Sequence, residues 1–182
     1  MISQYNVKPR PIDEPTGEQF FKRIFESRLH GTPVPDGVVE AQALKYPPLG
    51  ELVAFRYDPK YKESLPVYDT LPLVLVLSVK RTHFYGINLH YIRPSIRKKI
   101  MERLLKAKLA SGDNQLLYIQ KIAPVLNMLS QHTPFAPYFR NYLPEQLRSK
   151  IAVIGQDHWK AVSEMPLQNF KKVKENTVWS TR

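Results

Sequence analysis

The order of apolar and polar positions divides the chain into a helical beginning, a β-rich middle and a mixed end. In "TGEQFFKRIFESRLHG" the residues Phe20, Phe21, Ile24, Phe25 and Leu29 share one broad helical face. Thr16 stands where an N-cap belongs, Gln19 follows three residues on, and Gly31 supplies a stop. The spacing predicts an amphipathic helix. The first fifteen residues hold three prolines and little periodicity, and read as an extended arm. After the helix, "TPVPDGVVEAQALKYPPLG" is a connector rich in Pro and turn residues, with one helical turn around Val39 to Leu44.

The middle reads as β. "GELVAFRY" has strand composition, "DPKYKESLPVYD" is a polar loop, "LPLVLVLSV" is an apolar run too short for most helices, and "HFYGINLHYI" mixes aromatic and aliphatic residues. Three such strands, one joined by a tight tip at Lys80, Arg81 and Thr82, predict a small, strongly bent antiparallel sheet, SH3-like or half-barrel, flanked by helices: an α+β fold. Gly86 inside the third strand calls for a bulge or a close backbone approach. Pro94 sits where a first helical turn accepts proline, and "SIRKKIMERLLKAKLASG" follows with Ile96, Ile100, Leu104 and Ala107 at helical spacing and Gly112 as stop. A second helix starts at the cap candidate Asp113, and Pro124 should kink or divide it into an angled pair. Toward the end come aromatic anchors, a short helix after Pro144, a strand at Lys150 to Ile154, a helix around His158 to Glu164, and a polar tail anchored by Trp179. The organisation expected is an arm over residues 1–15, one α+β domain over 16–170 and a basic tail over 171–182.

Charge sharpens this picture. Among 182 residues, 27 Lys and Arg face 16 Asp and Glu, a net charge of +11, which favours polyanionic partners. The segment Arg93 to Lys108 sets seven basic residues against Glu102 alone, over half of that excess. Arg93, Arg97, Lys98, Lys99, Arg103 and Lys106, extended by Lys80 and Arg81 at the hairpin tip, form a candidate nucleic-acid surface; the plain alternative is a solvated helix face. His83, Phe84, Tyr85, His90 and Tyr91 are interleaved with these basics as base stacking on a single strand requires, although core packing is the better reading for Phe84 and for one of the two tyrosines.

Other chemistry has little support. There are no cysteines, so thiol nucleophiles and thiolate metal sites are excluded. The histidines His30, His83, His90, His132 and His158 make no ligand motif, and the spacing of His83 and His90 puts them on opposite faces of a regular strand unless Gly86 forms a bulge. Asp58, Glu63 and Asp69 fall in a loop and read as turn chemistry. No catalytic site, metal or cofactor is expected. An apolar run of about 18 residues, as a membrane span needs, does not occur, and the beginning of the chain has no signal-peptide pattern, so a soluble protein without membrane partners is expected.

Tyr57 to Lys60 spell Tyr-Asp-Pro-Lys, Leu65 to Asp69 spell Leu-Pro-Val-Tyr-Asp before Pro72 and Leu73, and Gly86 to Tyr91 spell Gly-Ile-Asn-Leu-His-Tyr before the basic helix. In these stretches, and in a tail with Trp159, Pro166, Phe170 and Trp179, the chain resembles small proteins of T4-like tailed bacteriophages over about residues 50–180. The resemblance implies a virion or DNA-handling role, in the particle or the host cytoplasm, and brings no catalytic residues. The chain is also similar to toxin ribonucleases of the MazF/PemK type in a strand, a loop and then "PLVLVL" on an SH3-like barrel, but Leu71 occupies the place of the arginine those enzymes carry. The readings stand in this order: a non-enzymatic virion-assembly protein of head, neck, tail or baseplate, docking on other phage structural proteins or a second copy; a DNA-binding accessory protein using the basic helix; and a ribonuclease.

Overall fold

A computed structural model describes residues 46–131, 138–164 and 167–180. The expected arm, the helix from Thr16 to Gly31 and the connector up to Leu44 lie outside the described residues. Strands β1 (Leu52–Ala54), β3 (Leu73–Val79), β4 (Phe84–Asn88), β5 (Phe139–Tyr142) and β6 (Ala152–Ile154) form one antiparallel sheet in the order β5, β4, β3, β1, β6. Two further short strands, β2 (Tyr68–Asp69) and β7 (Phe170–Lys171), pair with each other. The α+β architecture is as expected, but the sheet is open, with β5 and β6 at its edges, and does not close as an SH3-like barrel would.

Alternation along β1 and β3 fills both faces of the sheet. Leu52, Ala54, Leu73 and Leu75 point to one core with Ile87, and Val53, Val74 and Val76 to another with Phe84. This double burial explains the uninterrupted apolar run of β3, since a strand covered on one side only would alternate with polar residues. Helices α1 (Pro94–Ser111) and α2 (Gln115–Gln131) and the short α3 (Trp159–Glu164) cover the first face, where Ile100, Leu104, Ile122 and Trp159 are buried. On the second face Phe55 and Tyr142 each meet both Phe84 and Tyr57, edge-on or stacked, with ring centroids 5.1–6.0 Å apart.

Gly86 shows why its position tolerates no side chain. A Cβ there would lie 2.4 Å from Val74 Cγ1 and 2.5 Å from the Leu75 carbonyl oxygen. The irregularity itself sits on the neighbouring strand: the register of β3 against β4 shifts between Val76 and Ser78. His90 lies beyond β4, in the 3-10 turn Leu89–Tyr91, so the question of strand faces for His83 and His90 does not arise. Gly112 ends α1 at φ +51 as expected. In α2 the cap is Asn114, whose Oδ1 accepts from Leu117 N at 3.0 Å, in place of Asp113. Pro124 does not divide α2, which runs unbroken through it, and the proline lies at an exposed position of the helix.

Residues 171–180 fold back on the domain. Helix α4 (Glu175–Ser180) buries Val178, and Trp179 Nε1 donates to the His90 carbonyl at 3.0 Å. That contact holds the last helix against the entrance of α1. No helix among the described residues is long and apolar enough to cross a membrane.

Candidate nucleic-acid interface

Helix geometry sorts the basic residues of α1 into two groups. At about 100° per residue, Lys98, Lys99, Arg103 and Lys106 fall within one arc of the helix, while Arg97 falls with Ile100, Met101 and Leu104 on the opposite side. Burial follows this division: the first four are exposed, and Arg97 is 1% exposed. Lys98 meets Glu164 at 3.2 Å in an exposed pair. Lys99, Arg103 and Lys106 make no ion pair or side-chain hydrogen bond among the described residues, so their charges are available to an outside anion.

Arg97 therefore departs from the expected surface. Its guanidinium donates to the carbonyls of Ile92, His90 and Ser163 at 3.2–3.4 Å and lies 6.0 Å from the Trp179 ring. Burial pushes its pKa down to about 10, against the pull of Asp69 and Glu175. It remains charged at neutral pH and fastens α1 to the 3-10 turn and to α3. Arg93, at the N-cap of α1, is exposed and donates from Nη2 to the Trp179 carbonyl at 3.0 Å. Lys80 and Arg81 are exposed at the β3–β4 tip. Tyr46 hydrogen-bonds the Arg81 carbonyl, Gln115 Nε2 donates to Leu49 O, and Lys108 pairs with Glu51, so the segment 46–51 joins this tip to the α1–α2 turn. The hairpin tip is thus linked to the C-terminal end of α1.

A second feature was not expected. Stretches far apart in sequence converge on a pocket of about 390 Å³: Tyr57 to Tyr61, Leu65 to Asp69, Asn88 and Tyr91, and Phe139 to Leu143 on the edge strand β5. Six of its fourteen lining residues are aromatic. Lys60 Nζ stands 5.6 Å from the Tyr61 ring centre and the Arg140 guanidinium 5.1 Å from that of Tyr91. At its base Asp69 accepts from Leu71 N and Asn169 N through one oxygen, and from Asn88 Nδ2 and His90 Nδ1 through the other. Burial alone would raise the Asp69 carboxyl, but His90 and these donors hold it below its ordinary value. The Asp69–Leu71 bond is the turn chemistry anticipated for this loop; the partnership with His90 was not legible, because it joins residues brought together by folding.

The His90–Asp69 pair has the hydrogen bond of a general-base dyad without its access. His90 is 1% exposed and its Nε2 has no partner among the described residues, so substrate cannot reach the nitrogen that would take a proton. The pair positions backbone. Among the described residues no three His, Asp or Glu side chains gather as a metal site needs. Of the interleaved aromatics, Phe84 and Tyr91 are buried, and Tyr85, half-buried, stacks on Phe139 with ring centres 6.0 Å apart.

Comparison with known proteins found no matching curated protein and no matching solved structure. A family model described as "Phage T4 terminal DNA protecting protein" does match, over residues 34–182. That span includes the whole sheet, the basic helix and the pocket, and the chain accordingly belongs to the phage T4 terminal DNA protecting protein family.

Proposed function

We propose that this protein binds the ends of linear DNA without cutting them and shields them from exonucleases, holding the phosphate backbone with the exposed cations of α1. The observation that carries the reading is the set Lys98, Lys99, Arg103 and Lys106, which shares one exposed face, in a chain whose family is described by protection of terminal DNA. From Lys98 to Lys106 the helix advances roughly 12 Å, about the rise of three to four base pairs. Lys80 and Arg81 extend the contact. Such contacts are independent of sequence, as protection of any terminus requires. The virion-assembly role placed first on sequence grounds gives way to its DNA-binding alternative, because the family description names DNA and no assembly step. Such a protein would act in the infected cell's cytoplasm, where linear phage DNA meets nucleases.

The test is digestion of end-labelled linear duplex by an exonuclease, with and without saturating protein, beside anisotropy between about 50 and 200 mM salt. Slower digestion, and affinity falling by roughly 10³ or more over that range, are expected for six or more phosphate contacts. Unslowed digestion by a protein shown to be folded overturns the reading.

A further inference from the structure

We infer that the pocket between β5 and the 57–68 loop is the seat of an unpaired nucleotide at the DNA terminus. The inference rests on the DNA-end reading and adds to it a site that α1 does not supply. Its volume of about 390 Å³ lies within the roughly 300–1,000 Å³ usual for sites that enclose a small molecule. Tyr61, 67% exposed at the rim, offers a ring face that the fold has not used for packing. Lys60 and Arg140 stand beside aromatic rings, which is how a site meets a base and its phosphate together. Tyr142, whose side chain is buried among Phe55, Tyr57 and Phe84, forms part of the fixed wall of this same pocket.

The chemistry also says what the pocket does not do. Asp69 already accepts four hydrogen bonds, and Asn88 uses its oxygen on His90 N and one donor on Asp69. The polar groups at the base are thus largely engaged, and the contact that the aromatic lining residues supply is stacking, which every base offers. A paired base would have to leave the helix to enter, whereas an unpaired terminal base pays least for unstacking. The pocket therefore distinguishes an end from the body of the duplex. Tyr91 is separated from Pro94, the first residue of α1, only by Ile92 and Arg93, so this seat and the backbone grip are built on one continuous segment.

The experiment places 2-aminopurine in a 3′ overhang, in a 5′ overhang or at an internal paired position of one duplex, and compares wild type with Tyr61→Ala and Tyr61→Trp, both at an exposed position. Quenching on binding is expected for an overhang and absent for the internal base. Tyr61→Ala should weaken binding to that overhang about tenfold, the order of one base–aromatic stack, and leave salt-steep binding to hairpin-closed duplex unchanged, while Tyr61→Trp keeps the quench. Salt-steep duplex binding with no quench at either overhang and no effect of Tyr61→Ala overturns the pocket alone. Absence of binding to every DNA overturns the end-binding reading as well.

Discussion

His90 Nδ1 lies 2.7 Å from Asp69 Oδ2, with the two side chains 1% and 0% exposed. Because a carboxylate only accepts, Nδ1 carries the proton. The same carboxylate takes the N–H groups of Leu71 and Asn169 and the amide of Asn88, so one buried charge ties together β2, the end of β4 and the segment before β7. Despite burial, which acts the other way, His90 and the donors hold its pKa below the ordinary 3.8. The stability it contributes is therefore complete above that ordinary value and is lost as pH falls below it, through the depressed folded-state value. Asp69→Asn should cost about 3 kcal/mol at neutral pH. In urea melts the gap to wild type should narrow as the solution is acidified below about pH 4; a gap independent of pH would count against a charged Asp69.

Two glycines make a paired test. At Gly86 an added methyl meets the Leu75 backbone oxygen and Val74, neither of which can yield without moving β3. Gly86→Ala should cost about 3 kcal/mol, the upper end of ordinary overpacking. At Gly112 nothing lies within 4 Å, but φ +51 with ψ −131 is a backbone region that only glycine adopts readily, so Gly112→Ala should cost the conformational strain alone, about 2 kcal/mol. Chemical denaturation of both variants checks the order.

Lys172 has φ +76, and its ammonium donates to the carbonyls of Lys62, Glu63 and Leu65 at 2.7–2.9 Å. Three donors on three carbonyls clasp the loop that forms one wall of the pocket. Lys172→Met keeps the stem and removes the clasp. With about 1 kcal/mol lost from such an exposed set, trypsin should cleave after Lys60 or Lys62 about fivefold faster in the variant, while the urea midpoint barely moves. Equal cleavage rates would mean that the loop holds itself.

Much of the fold was legible because burial writes itself into local pattern. The run "LPLVLVLSV" marked β3, and Pro94 with Gly112 bracketed α1 within its observed limits. The strands β2 and β5 were not legible: Tyr68–Asp69 is two residues long, Phe139–Tyr142 alternates weakly, and both are set by partners distant in sequence. The pocket shares that origin, since Tyr61, Asn88 and Arg140 carry no common local pattern. Arg97 was a different kind of miss. Its spacing to Ile100, Met101 and Leu104 places it on the apolar stripe, and its charge outweighed its position in the reading.

That position gives the clearest separation of stability from binding. Arg97→Ala removes the donor that serves three buried carbonyls and should cost about 2–3 kcal/mol, whereas Arg103→Ala, on the exposed arc, should fall within about 0.5 kcal/mol of wild type. Binding should show the reverse order of interest: Arg103→Ala lowers the salt dependence of DNA affinity by about one phosphate contact, and Arg97→Ala, studied where it is still folded, leaves that slope unchanged. Combining Lys98→Glu, Lys99→Glu, Arg103→Glu and Lys106→Glu should abolish measurable duplex binding at about 150 mM salt without unfolding the domain, because each side chain is exposed. Anisotropy against salt, beside a urea melt for each variant, separates the two effects. If the fourfold variant binds as wild type does, the backbone grip lies elsewhere, and the exposed face of α1 is a solvated surface only.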